Sequence, residues 1–146
     1  MAKILLLNGP NLNLLGEREP ELYGSATLRD IEEAVAKLVE PAGHTLLHFQ
    51  SNAEGDLIGW LHNSRPADFL IVNAASYTHT SIGLRDAIKM MGVPFVEVHI
   101  SNVYKRESFR RRSYLSDIAE GVIVGLGAMG YELAALYALD YLAKPK

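Results

Sequence analysis

The sequence contains no cysteine among its 146 residues. Disulfide bonds, cysteine-ligated metal centres and thiol nucleophiles are therefore excluded, and the composition fits a reducing cytoplasm, which is the expected location. Long apolar runs are also missing. The first, Ile4–Leu7, meets an Asn-Gly-Pro turn and is too short for the core of a signal peptide. Since no run approaches the roughly 20 residues of a membrane helix, we expect no membrane association.

An excess of positive charge is missing too, because the formal net charge is −3. This balance argues against a dedicated nucleic-acid surface. The one basic cluster covers residues 110–112, with Arg106 just upstream, and such clusters are more often solvated surface. Phe109 and Tyr114 lie beside it and keep an RNA-binding alternative open, since aromatic rings can stack on bases. We expect no nucleic-acid partner.

Short apolar segments alternate with helical patterns along the whole chain, without a repeat or a linker, which predicts a single domain over residues 1–146. The predicted strands are Lys3–Leu7, Thr45–Phe49, Phe69–Val72, Phe95–Val98 and Gly121–Val124. They lack polar/apolar alternation, so each is predicted to be buried on both faces, as parallel strands are. The order predicts a flavodoxin-like α/β three-layer sandwich, with helices on both faces of a parallel sheet ordered 2-1-3-4-5. Ligands of such sheets bind beyond the carboxyl ends of the strands, where strands 1 and 3 diverge.

Helix starts are also readable. Thr27-x-x-Asp30 resembles a capping box, and Ser51-x-x-Glu54 predicts the start of the next helix. The last helix is predicted over about residues 130–142, with three apolar side chains on its inner face: Leu133, Leu136 and Tyr137.

The sequence lacks the complete motifs of several common nucleotide, hydrolase and metal sites. The G-x-G-x-x-G match at Gly125–Gly130 is followed by too few residues for the second strand and ribose-binding acid of a dinucleotide site. Neither a P-loop nor a G-x-S-x-G nucleophile elbow occurs. His44 and His48 would share a strand face but lack the spacing of a metal site. We predict no metal and no cofactor.

The connection after the first strand, Asn8–Gly24, is longer than the roughly 2–6 residues usual between a strand and a helix. Such a loop in a small domain is typically a lid or a binding loop, here about residues 16–24. The alternative is a solvent-exposed surface loop that carries charged side chains and binds nothing. It explains less well why Arg18 and Tyr23 share a segment at the carboxyl edge of the sheet.

Polar residues also follow the third and fourth predicted strands. The loop from Asn73 to Ser81 combines amide, hydroxyl and imidazole groups, which favours recognition of a polyhydroxylated molecule. Glu97 and His99 are two residues apart and point the same way on an extended strand. A carboxylate beside an imidazole fixes its tautomer and favours the protonated form that a general acid needs. The alternative is a structural histidine at a strand end.

Six blocks carry a more specific signal: Asn8-Gly-Pro-Asn11-Leu, Leu15-Gly-x-Arg18-x-Pro20-x-x-Tyr23-Gly24, Tyr77-Thr-His79-Thr-Ser81, Arg85-Asp86, Glu97-Val-His99-Ile-Ser101-Asn102 and Arg106-x-x-Phe109-Arg110. In this order and spacing they resemble the signature blocks of the type II 3-dehydroquinate dehydratases, over nearly the whole chain. The resemblance implies a lyase of the shikimate pathway of aromatic amino acid biosynthesis. It would convert 3-dehydroquinate into 3-dehydroshikimate by anti elimination through an enolate, without a metal or Schiff base.

The resemblance also implies catalytic roles. Tyr23 would take the proton next to the ketone, with Arg18 as the cation that lets a phenol ionise. Bringing a phenol from its usual pKa of about 10 to near neutrality takes about 4 kcal/mol of differential stabilisation. Asn11 would stabilise the enolate oxygen through a water molecule. His99 would protonate the departing hydroxyl, and Glu97 would orient it.

The same resemblance implies which residues contact the substrate. The backbone N–H groups of Ile100 and Ser101 suit the substrate carboxylate. Asn73, His79 and Arg110 would bind the ring hydroxyls.

Assembly is implied as well. In the family the acid equivalent to Asp86 reaches a neighbouring subunit's site, and trimers pack into a homododecamer. The sequence departs from the family at Ala74-Ala75-Ser76, where a Pro-Gly or Ala-Gly pair is usual. If that glycine needs a positive φ, the alanine costs on the order of 1 kcal/mol.

Three alternatives stay open. A non-catalytic flavodoxin-like module would bind flavin or another small anion, and an RNA-binding protein would use residues 106–114. A related dehydratase acting on a different hydroxy-keto acid would fit the motifs almost as well.

Overall fold

The computed structural model describes residues 1–17 and 19–145. Arg18, one of the predicted catalytic residues, lies outside the described residues. Within them, five parallel strands form one sheet in the order β2-β1-β3-β4-β5, as predicted. The strands are β1 Lys3–Asn8, β2 Thr45–Gln50, β3 Phe69–Asn73, β4 Phe95–His99 and β5 Gly121–Val124. The first four end one residue later than predicted, so that β3 and β4 end on the predicted site residues Asn73 and His99.

The α-helices of the described chain cover both faces of the sheet. They are α1 Pro20–Tyr23, α2 Leu28–Val39, α3 Glu54–Asn63, α4 Ile82–Met90 and α5 Met129–Ala143. Side chains alternate between the faces of a strand, so Ile4 and Leu6 pack under α2 and α5, while Leu5 and Leu7 pack under α3 and α4. No helix in residues 1–17 and 19–145 is long and apolar enough to cross a bilayer.

The prediction that every strand is buried on both faces was wrong for the two outer strands. All residues of β3 and β4 are buried, but β2 and β5 keep exposed positions, among them Leu47 and Val122. β2 and β5 form the two edges of the sheet, where the helices of the chain leave part of each strand exposed.

The predicted inner face of α5 was also wrong. Leu133, Leu136 and Tyr137 are 36%, 50% and 40% exposed, whereas Tyr131 and three alanines of α5 are buried. Small residues let the helix approach the sheet closely. At Gly130, an added Cβ would come within 3.3 Å of Ile123. Because apolar residues surround this helix, apolar periodicity does not mark its inner face.

The helix starts agree with the sequence in one case and differ in the other. Asp30 N donates to Thr27 Oγ1 at 3.1 Å and Thr27 N donates to the Asp30 carboxylate at 3.0 Å, which completes the predicted capping box. Helix α3 begins at Glu54 with Ala53 as its N-cap, so Ser51 lies two residues before the cap. Its hydroxyl instead accepts from Ala53 N at 3.0 Å, which tightens the turn into the helix.

Candidate active site

A pocket lies at the carboxyl edge of the sheet, over the ends of β1, β3 and β4. Eight predicted site residues line it: Asn11, Tyr23, Asn73, His79, His99, Ile100, Ser101 and Arg110. Glu97 lies behind His99, and Asp86 does not line this pocket. The cavity measures about 180 Å³. Since a cavity of roughly 150 Å³ holds benzene, there is space for one six-membered ring.

The loops after β1 and β3 meet at the floor of the pocket. Gly9 N donates to the Asn73 carbonyl oxygen at 2.8 Å. A Cβ at Gly9 would lie 2.3 Å from the carbonyl oxygen of Ala74, so a side chain at Gly9 would force the two loops apart. This close approach fixes where both strand ends present their side chains.

A buried hydrogen-bond chain holds Asn73. Its amide Nδ2 donates to Tyr131 Oη at 2.8 Å, and Tyr131 Oη donates to Asn8 Oδ1 at 2.7 Å. Burial raises the pKa of Tyr131, which therefore stays a neutral hydroxyl. Ala75 N occupies one side of Asn73 Oδ1 at 3.0 Å. One N–H and one oxygen lone pair of Asn73 remain for a ligand. Sequence patterns gave no sign of Tyr131, which lies 58 residues from Asn73.

Ala75 adopts the left-handed conformation that the family's glycine suggested, with φ +51°. A Cβ in this region costs about 1–2 kcal/mol, and an alanine-to-glycine change loses about 0.4–1 kcal/mol through the unfolded chain. We therefore expect Ala75→Gly to raise the free energy of unfolding by about 0.5–1 kcal/mol. Urea unfolding would measure it.

The matched control for this prediction is Ala74→Gly. Ala74 has φ −77° and is fully buried, so glycine there relieves no strain and should lower stability. An unchanged or lower urea midpoint for Ala75→Gly would contradict the assignment of strain to Ala75.

Asn11 is supported from the end of β2. It also adopts a left-handed backbone, with φ +68°, which asparagine tolerates better than most residues. Its N–H donates to Asn52 Oδ1 at 2.9 Å, and Gln50 donates to both Asn52 and the Gly9 carbonyl oxygen. The start of the long loop is thus fixed to the sheet.

Glu97 and His99 form a buried pair at the end of β4. His99 Nε2 lies 2.5 Å from Glu97 Oε2, and Glu97 is 1% exposed. Two serine hydroxyls also donate to this carboxylate, Ser113 at 2.9 Å and Ser116 at 2.6 Å. Burial opposes ionisation of Glu97, but the hydrogen bonds from His99 and the serines outweigh it and lower its pKa. The serines were missed because nothing in the sequence distinguishes them from surface serines.

His79 stacks beside His99, with ring centroids 6.2 Å apart and planes 19° apart. Its Nδ1 lies 2.7 Å from the Arg112 carbonyl oxygen and so carries the proton. Burial lowers the pKa of His79 despite that hydrogen bond, which keeps the ring neutral near pH 7. Its Nε2 is then an acceptor, suited to a ligand hydroxyl.

Arg106 supplies a cation beside Tyr23. Its guanidinium carbon lies 5.6 Å from the centroid of the Tyr23 ring, and its Nη1 donates to Ser101 Oγ at 3.1 Å. Glu107 accepts from Arg110 Nε at 3.0 Å and lies 3.9 Å from Arg106 Nε. Sequence reasoning placed Arg106 in a motif and gave it no role. With both arginines lining it, this side of the pocket is electropositive and suits a carboxylate.

Asp86 lies on the exposed side of α4, whose Leu84 and Ile88 are buried. It is thus away from the pocket of its own chain. Among residues 1–17 and 19–145, no group of three or more His, Asp or Glu side chains is arranged to hold a metal ion.

Comparison with known proteins identifies the family of this chain. A family model described as "Dehydroquinase class II" matches residues 2–139. The 3-dehydroquinate dehydratase of Haemophilus influenzae is 57% identical over 143 residues, covering 97% of this chain and 96% of that protein. The 3-dehydroquinate dehydratase 1 of Pseudomonas aeruginosa is 56% identical over 147 residues, which cover 99% of this chain and 100% of that protein. The crystal structure of the type II dehydroquinase from Propionibacterium acnes superposes with a TM-score of 0.89 at 37% identity, over 96% of this chain and 97% of that chain.

Proposed function

The chain belongs to the class II dehydroquinase family, and we propose that its pocket removes water from 3-dehydroquinate to give 3-dehydroshikimate. It is accordingly a carbon–oxygen lyase, and its reaction is a step of the shikimate pathway. The observation that carries the site assignment is one pocket lined by both Tyr23, next to Arg106, and His99, bonded to a buried Glu97. Neither the family nor the relatives support a non-catalytic flavin- or anion-binding module.

Tyr23 is the proposed base. Its oxygen takes the proton from the carbon next to the ketone, and the electron pair of that C–H bond moves into an enolate. A phenol needs a nearby cation to act in this way near neutral pH. Arg106 is one cation beside Tyr23 among the described residues. Arg18, which lies five residues before Tyr23 in the sequence, remains a second proposed cation. Asn11 is proposed to stabilise the enolate oxygen through a water molecule.

His99 is the proposed acid. The enolate collapses, a carbon–carbon double bond forms, and the bond to the hydroxyl oxygen breaks. His99 gives that oxygen a proton, and water leaves. Because Glu97 occupies Nε2, the proton delivered to the pocket comes from Nδ1. An ionised Glu97 stabilises the imidazolium before the transfer and fixes the ring orientation.

The remaining pocket residues are proposed to hold the ring. The backbone N–H groups of Ile100 and Ser101, together with Arg106 against the Ser101 hydroxyl, suit the substrate carboxylate. Asn73 offers one N–H and one lone pair, and His79 offers Nε2, so both suit ring hydroxyls. Arg110, which also lines the pocket, is likewise proposed to bind a ring hydroxyl.

We also propose assembly and closure. Residues 16–24 would close over the bound ring as a lid, within a single catalytic domain in the cytoplasm. Self-association is supported by the apolar, exposed face of Leu133, Leu136 and Tyr137, which another protein surface would shield from water. The family resemblance implies that it forms a homododecamer built from trimers. Asp86, remote from its own pocket, would then reach a neighbour's. Ultracentrifugation should give a mass of twelve chains, and a monomer would contradict the assembly.

The test of function is direct. Purified protein is mixed with 3-dehydroquinate, and the ultraviolet absorbance of the conjugated product is followed, with parallel samples containing EDTA or borohydride. Turnover that resists both reagents supports the proposed elimination without metal or imine. Absence of turnover in a folded assembly would contradict the substrate assignment.

A further inference from the structure

The turn from Ser113 to Ser116 lies directly behind the Glu97–His99 pair. Ser116 Oγ donates to Glu97 Oε1 at 2.6 Å, and Ser113 Oγ donates to Oε2 at 2.9 Å. Oε2 also contacts His99 Nε2. Both oxygens of the buried carboxylate are therefore bonded to donors.

The Ser113 hydroxyl has a fixed direction. Its oxygen accepts from Leu115 N at 3.0 Å and from Ser116 N at 3.1 Å. A hydroxyl has two acceptor lone pairs and one proton. Because backbone N–H groups occupy both lone pairs, the proton is left for Glu97. At Ser113, a protonated Glu97 would meet a donor and not the acceptor that its own proton needs.

The residues on either side of this turn also hold His79, the second histidine of the pocket. The Arg112 carbonyl oxygen accepts from His79 Nδ1 at 2.7 Å, and Tyr114 N donates to the Thr78 carbonyl oxygen at 2.9 Å. Arg85 on α4 donates to the Tyr114 carbonyl oxygen at 2.7 Å and forms an ion pair with Asp117. Leu115 is buried in the core between these contacts. The segment thus links the β3 loop, the end of β4 and helix α4.

We propose that Ser113 and Ser116 are positioning residues of the reaction, which hold Glu97 as a carboxylate aimed at His99 Nε2 and so fix the tautomer of His99. They act through Glu97 and do not touch the substrate. Neutral His99 then carries its proton on Nε2 and exposes Nδ1 to the pocket. Nδ1 takes up a new proton there after each turnover. This proposal rests on the proposed function of the pocket.

The kinetic test uses Ser113→Ala and Ser116→Ala, singly and together. We expect each to lower kcat about tenfold, because each removes a hydrogen bond to a charged group, while KM changes by less than about twofold. Losing a donor destabilises the ionised carboxylate, so the pKa of Glu97 rises and it protonates at a higher pH. The acidic limb of the pH profile of kcat should therefore move to higher pH.

Two matched variants keep the kinetic result interpretable. Ser116 is exposed, so Ser116→Thr fits and keeps a hydroxyl, and it should restore most of the activity and the wild-type acidic limb. Ser108→Ala removes an exposed serine nearby and should change neither. Wild-type kcat and an unmoved acidic limb in the double variant would overturn the proposal.

A second readout does not depend on turnover. In ¹⁵N-histidine-labelled protein, the nitrogen chemical shifts of His99 report which ring nitrogen carries the proton. We expect the Nε2–H tautomer in the wild type and a mixture in the double alanine variant. An identical tautomer in both would overturn the positioning role. Failure of the wild type to convert 3-dehydroquinate would instead contradict the proposed function and leave this readout valid.

Discussion

Tyr23→Phe lowers kcat by about 10³-fold, while the affinity for 3-dehydroquinate stays within about threefold of wild type. The substitution removes one oxygen atom and leaves the aromatic ring that Arg106 covers. Because that oxygen is the proposed base, its loss should affect proton abstraction and not the contacts to the carboxylate and the ring hydroxyls. Steady-state kinetics give kcat, and calorimetry on the inactive variant gives the binding constant.

The matched control is Tyr104→Phe. Tyr104 follows the end of β4, is 59% exposed and does not line the pocket, so its replacement removes the same atom without changing the pocket. We expect it to keep wild-type kinetics. A Tyr23→Phe variant with a kcat within tenfold of wild type would remove Tyr23 from the base role. A large loss of affinity with unchanged kcat would assign it to substrate binding.

The sheet and the position of the pocket could be predicted because each depends on local sequence. Apolar segments such as Phe69–Asn73 and Phe95–His99 are buried on both faces, and strand–helix alternation leaves few topologies. The carboxyl ends of parallel strands then meet at one edge. Asn73 and His99 therefore had to come close to the loop that carries Tyr23.

Contacts made between distant segments could not be predicted in this way. Tyr131 lies 123 residues from Asn8 and meets it only because α5 packs on the sheet through alanines. Ser113 and Ser116 reach Glu97 from an irregular turn that has no periodic pattern. Their roles follow from hydrogen-bond geometry, which sequence patterns do not contain.

The strained residue lies between these two cases. The departure at residues 74–76 showed where a positive φ was needed, and Ala75 has it. What the sequence left open is the consequence for the pocket. Ala75 N still donates to Asn73 Oδ1 at 3.0 Å, so the loop accepts the strain and keeps the amide in place.

His99→Ala should lower the rate of dehydration by about 10²–10³-fold, yet leave exchange of the proton next to the ketone much less affected. Tyr23 and Arg106 are unchanged in this variant, so the enolate still forms, but no acid protonates the departing hydroxyl. The buried Glu97 keeps its two serine donors, which limits the damage to folding. In deuterated water, proton NMR of 3-dehydroquinate measures the exchange and the product in one experiment.

The ratio of exchange to dehydration is what separates the roles, because a general loss of structure would lower both rates together. His62→Ala is the control: His62 is exposed near the end of α3, and its replacement should change neither rate. If His99→Ala lost exchange and dehydration to the same extent, His99 would belong to substrate binding or to the base. If both rates stayed at wild type, His99 would have no part in the reaction, and the protonation of the leaving group would need another donor in the pocket, with His79 the nearest imidazole, its ring centroid 6.2 Å away.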